Sequence, residues 1–111
     1  MTYDQIMEIA EETNLPYSYD HFAEGESPDP PFLIFMLPNE SHFHADGRTY
    51  YVTTDLVFEL YTDIKDPVLE KRIESILQGH EINYEKSETW IETEKMYEVI
   101  YEMEVPYGEQ S

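Results

Sequence analysis

A long alternation in this chain runs directly into a capped helix and limits the folds open to it. From Tyr50 to Tyr61, residues Tyr50, Val52, Thr54, Leu56, Phe58 and Leu60 fall on one side and Tyr51, Thr53, Asp55, Val57, Glu59 and Tyr61 on the other. A period of two marks a half-buried strand. Asp66 then stands where a side chain can cap free amides, and Pro67 is pre-shaped for the first helical position. Val68, Leu69, Arg72, Ile73, Ile76 and Leu77 recur at helical spacing, with Glu70, Lys71, Glu74 and Ser75 opposite. Gly79 is placed to take the left-handed conformation that ends many helices.

The rest of the chain supplies partners for this β-to-α unit. Thr2 to Thr13 reads as a short helix capped by Thr2 or Asp4, with Ile6, Met7, Ile9 and Ala10 as an apolar stripe and Glu8, Glu11 and Glu12 facing water. Acids near its C-terminus oppose the helix dipole, so it depends on packing. Asn14-Leu15-Pro16 ends it, and Tyr17 to Phe22 alternates aromatic and polar residues like a short strand. Ala23 to Pro31 is a loop in which Pro28, Pro30 and Pro31 remove three backbone donors. The apolar run Phe32 to Leu37 suits a strand covered on both faces and is expected to pair with the long strand across a second loop, Pro38 to Gly47. Glu81 to Glu85, Thr89 to Thr93 and Met96 to Val105 have strand composition. In the last, Tyr97, Val99, Tyr101, Met103 and Val105 share one face, and Met96, Glu98, Ile100, Glu102 and Glu104 the other. The order predicts a single α+β domain over residues 1–107, a mostly antiparallel sheet with two helices on one face, followed by a frayed tail at 108–111.

Charge narrows the function classes. Among 111 residues, six Lys and Arg stand against twenty-five Asp and Glu, a net charge of −19. Nucleic-acid binding and anionic membranes call for the opposite sign. Such a charge can signal disorder, but the alternating Tyr, Phe, Val and Ile runs place it on the surface of a folded domain. With no cysteine there is no disulfide frame and no thiolate site. Neither a secretion signal nor a membrane span is expected.

The chemical candidates are few. His42-Phe43-His44 puts two imidazoles on one side of an extended segment, but a zinc site needs further ligands. These residues read either as plain loop side chains or, with Trp90, as interface contacts; for Trp90 core packing is the commoner explanation. Carboxylates abound without one pair standing out, and no phosphate loop, nucleophile elbow or His-Glu-x-x-His is present. The expectation is therefore no catalysis, no cofactor and no metal. From Gly79 onward nine acids face only Lys86 and Lys95. Glu92, Glu94, Glu98, Glu102 and Glu104 form the candidate acidic face, either a solvated exterior or a surface that repels nucleic acid or meets a basic partner.

Four stretches together resemble a family of small phage and prophage proteins encoded among the neck and tail genes of long-tailed phages of Gram-positive bacteria. They are Leu15 to Phe22, Pro31 to Phe35, Phe58 to Asp63 running into Lys65-Asp66-Pro67, and Glu92 to Val99. They span nearly the whole chain, and their order and spacing carry the resemblance. It implies a tail terminator or head–tail joining protein, a non-enzymatic virion component closing into a ring, typically a hexamer, at the head-proximal end of the tail tube. The partners it implies are further copies of the chain, tail-tube protein and head-connector protein. The rival expectation is a small acidic inhibitor that mimics DNA and blocks a basic host protein.

Overall fold

The structure, a computed structural model, describes residues 1–108 apart from the side chains of Thr49 and Tyr50. Eight elements follow one another: α1 (Tyr3–Glu12), β1 (Tyr17–Tyr19), β2 (Phe32–Met36), β3 (Glu40–Ala45), β4 (Arg48–Thr62), α2 (Pro67–Gly79), β5 (Glu85–Ile91) and β6 (Met96–Pro106). The strands form one sheet in the order β1-β2-β4-β6-β5, with β3 pairing β4 off that path. All pairings are antiparallel except β1 with β2. This is an α+β domain.

The long strand organises the sheet because it pairs along both edges. One edge meets β6 from Thr53 to Thr62. The other meets β3 with its first half and β2 with its second, from Val57 to Tyr61. Fifteen residues at about 3.4 Å each span about 50 Å, comparable to the 51 Å long axis of the molecule. Before Thr53, β4 has no β6 partner, so β3 and the start of β4 project as a two-stranded arm. Asp46 and Gly47, at φ 51° and 73°, close it as the two left-handed central residues of a type I′ turn. The expected loop from Pro38 to Gly47 is thus mostly strand; polar residues hid it, because all six residues of β3 are exposed. A register shift after Phe43 leaves Tyr50 without a cross-strand partner, a bulge in the arm.

The core lies on one face of the sheet. Leu33 and Phe35 of β2, Leu56, Phe58 and Leu60 of β4, and Val99, Tyr101, Met103 and Val105 of β6 are buried against Ile6, Ile9 and Ala10 of α1 and Leu69, Ile73 and Leu77 of α2. Ile6, Leu33, Leu56, Phe58, Leu60, Ile73, Leu77, Val99 and Tyr101 are fully excluded from solvent. The alternation read from β4 and β6 therefore selects the buried side. Burying each such side chain stabilises the fold by about 1.5–3 kcal/mol before chain entropy is counted. Phe32 and Ile34 are also buried, on the opposite face, as expected for a strand covered on both sides.

The helix caps follow the sequence at both starts. The Thr2 hydroxyl accepts from the Gln5 amide while the Gln5 side chain accepts from the Thr2 amide, a capping box. The Asp66 carboxylate accepts from the Leu69 amide, with Pro67 at the first position. The end of α2 differs. Gly79 stays helical, and the left-handed residue is Glu81, at φ 59°. Ile82 N–H donates to Leu77 O at 3.0 Å and Glu81 N–H to Gln78 O at 2.9 Å. This is the Schellman pattern, set two residues later than glycine indicated because Ile82 must reach the core.

Two further expectations are corrected. Val68, assigned to the apolar stripe of α2, is 80% exposed, whereas Glu70, assigned to the water side, is 3% exposed. Strand composition at 81–85 and 89–93 resolves into the single strand β5 followed by a turn at 92–95. At the start of the expected tail, Gly108 donates its N–H to Met1 O at 2.8 Å. The remainder of that expected tail, 109–111, lies outside the described residues.

Candidate interaction surfaces

The face of the sheet turned away from the helices carries the acids. Cross-strand register sets Asp55 opposite Glu104, Glu102 between Val57 and Glu85, Ile100 between Glu59 and Ser87, and Glu98 between Tyr61 and Thr89. Two of these rows place like charges directly opposite one another, which opposes pairing. No Lys or Arg of the described residues occupies these rows. Lys65 and Lys86 lie on the helix side, in ion pairs. Asp55, Glu85, Glu102 and Glu104, with Asn39 and Asn83, border a cleft of about 610 Å³ on this face.

The sequence candidates divide among different places. Glu98, Glu102 and Glu104 stand together on the outer face, joined by Asp55, Glu59 and Glu85. Glu92 and Glu94 are instead in the turn between β5 and β6. There the Lys95 ammonium, and then the Trp90 indole donating at 2.6 Å, hold the Glu92 carboxyl below the usual carboxylate range. Asp55 and Glu59 were visible in the alternation of β4; that they join the β6 acids required the strand register.

His42, Phe43 and His44 are exposed on the arm. The two imidazoles stack at 6.2 Å, and His42 Nε2 lies 3.1 Å from Glu40 Oε2. No group of three or more His, Cys, Asp or Glu among the described residues is arranged to hold a metal. Phe43 packs on Tyr51 at 5.6 Å, yet both remain about half exposed, 52% and 43%. Trp90 is 42% exposed on the edge strand β5, packed on Tyr97 at 4.7 Å, so it is not a core residue.

Beneath α2 lies a polar seam that helical spacing alone does not reveal. Glu70 receives Lys65 at 2.6 Å and Lys86 at 2.8 Å, and Lys86 also reaches Glu74 at 2.8 Å. Tyr101 donates its hydroxyl to Glu74 at 2.8 Å, and Lys65 bonds Glu88 on β5. Burial by itself pushes the Glu70 and Glu74 carboxyls up, but lysine hydrogen bonds and charge outweigh it and hold both below the usual range. Burial, with Glu74 accepting its proton, pushes the Tyr101 phenol far up. The seam joins helix to sheet, and its Lys65 also lines a small cleft beside Pro31, Thr62 and Asp66.

A second groove, about 560 Å³, runs between α1 and the α2–β5 connection. His80 lies in it, but its Nε2 is 2.6 Å from Glu12 Oε2. No Ser, Thr, Cys or Lys is among the described residues lining it. Among the described residues, no helix is long and apolar enough to cross a membrane. No protein-family model matches the chain, and none of the curated proteins matches it significantly. Fold and surface thus define a class, an α+β domain with one helix-covered face and one acidic face.

Proposed function

We propose that this protein is a non-enzymatic structural component of a phage or prophage particle, a tail terminator or neck protein acting as a ring subunit at the head-proximal end of the tail tube. The single observation that carries this reading is the segregation of charge across the sheet. The outer rows hold Asp55, Glu59, Glu85, Glu98, Glu102 and Glu104 with no cation among them. Turned toward a channel, such a wall keeps phosphates hydrated and moving, because adhesion needs counter-charges that are absent. The arm, with its exposed Phe43 and Tyr51, supplies apolar contact area to a neighbouring copy. Heterologous contacts of this kind close into a ring when the rotation permits. The same rows of paired carboxylates favour a second reading, an acidic mimic of DNA that occupies the binding site of a basic host protein.

Deleting the gene from the phage or prophage that encodes it separates these readings. Loss of a terminator leaves tails of uncontrolled length or heads without tails, seen by electron microscopy. Particles of normal length and attachment refute the proposal. Relief of inhibition of a host DNA-binding protein supports the mimic.

A further inference from the structure

Tyr61 stands between two carboxylates on the outer face. Its hydroxyl lies 2.6 Å from Glu98 Oε2 and 3.0 Å from Glu59 Oε1. A phenol has one proton, so it donates to one of them only. The shorter contact has the length of a charge-assisted O–H···O⁻ bond. The 3.0 Å contact to Glu59 then sets oxygen against oxygen, unless Glu59 brings a proton of its own.

The surroundings favour that proton. Glu59 is flanked in the sheet by Ile34 of β2 and Ile100 of β6. The charged groups facing it are Glu98 from β6 and Asp20 from the segment after β1, whose own carboxylate is 2.9 Å from His21 Nδ1. β5 brings only Ser87 and Thr89 to the adjoining rows. Burial, then the nearby Glu98 and Asp20 charges, raise the proton affinity of Glu59 against the opposing hydrogen bond from Tyr61. Burial, followed by the neighbouring carboxylates, likewise keeps Tyr61 protonated.

We infer that Glu59, Tyr61 and Glu98 form a proton-holding relay, Glu59 donating to Tyr61 and Tyr61 to Glu98, which fastens this end of the outer face and opens when Glu59 ionises. The fastened pieces are identifiable. Phe32 stacks on Tyr61 at 5.1 Å, and Phe22 packs edge-on against Phe32 at 5.4 Å, tying the segment after β1 to the sheet. An ionised Glu59 repels Glu98 across the single hydroxyl and displaces the ring on which Phe32 rests. Because the folded state holds this proton more tightly than the unfolded chain, its contribution is complete below the ordinary carboxylate range. It is lost as pH rises through the higher folded midpoint of Glu59. The relay lies within one subunit and does not depend on ring assembly.

Carbon-detected NMR of the glutamate carboxyls in the full chain, titrated from about pH 3 to about pH 8, tests this. Glu59 is expected to show the highest midpoint of the glutamates, with the Phe22 and Phe32 ring resonances shifting at the same midpoint. Glu98→Gln is expected to lower it. Glu59→Gln, which keeps a donor toward Tyr61, should gain stability over the native protein as pH rises through that midpoint. Co-titration of Glu59 with the exposed glutamates overturns the inference, as does a Glu98→Gln variant whose Glu59 midpoint is unmoved. If Glu59→Gln does not fold, the native titration and Glu98→Gln still decide.

Discussion

Replacing Lys86 by Met is the sharpest test of how α2 is held to the sheet. The ammonium sits 2.8 Å from both Glu70 and Glu74, and its side chain is 36% exposed whereas that of Glu70 is 4% exposed. Methionine keeps most of the apolar stem, so the change isolates the charge. Hydrogen bonds to charged groups contribute about 1.5–3 kcal/mol each when buried, and partial exposure of the lysine reduces this. Glu70 retains Lys65, and Glu74 retains the Tyr101 hydroxyl. The expected loss is therefore about 2 kcal/mol at neutral pH, or about 10 °C in Tm for a domain of this size. Both carboxyls are held below the ordinary range in the native protein. Their contribution is present above the unfolded pKa and disappears as pH falls through the folded one. The gap between native and Lys86→Met should therefore be full at neutral pH and shrink as the solution is acidified past the ordinary carboxylate range. Urea unfolding followed by helical circular dichroism at several pH values measures it. A gap under about 0.5 kcal/mol at neutral pH, or one that does not change with pH, would refute this account of the seam.

Other perturbations give distinct signs. Because Gly79 is helical with nothing within 4 Å of an added Cβ, Gly79→Ala should stabilise by about 0.5–1 kcal/mol; a left-handed cap there would make the same change destabilising. Glu81→Gly should stabilise by about 0.5 kcal/mol by relieving the left-handed backbone at φ 59°, read by the same unfolding curves. Phe58→Ala in the fully buried centre should cost about 3–5 kcal/mol, whereas Val68→Ala, at a site 80% exposed, should change stability by less than about 0.5 kcal/mol. Glu102→Gln, which relieves the like-charge pair with Glu85, should raise stability by about 0.2–1 kcal/mol at low salt and by less at high salt. A salt-independent effect would place the gain elsewhere.

Features with a local cause were legible in the order of residues alone. Period-two alternation chose the buried sides of β4 and β6, and Asp66-Pro67 started α2, because side-chain direction and capping depend only on near neighbours. The α+β class followed from the order of these elements. What lies between elements needed the tertiary structure. Glu70 appeared solvent-facing because helical spacing does not reveal that Lys65 and Lys86 arrive from elsewhere to pair with it. The exposed, polar β3 was hidden because a strand that buries nothing leaves no hydrophobic period, and only backbone pairing with β4 defines it. Likewise Glu59, Tyr61 and Glu98 were each visible in the sequence. Their meeting around one proton was decided by the register of β4 on β6, which long-range packing sets.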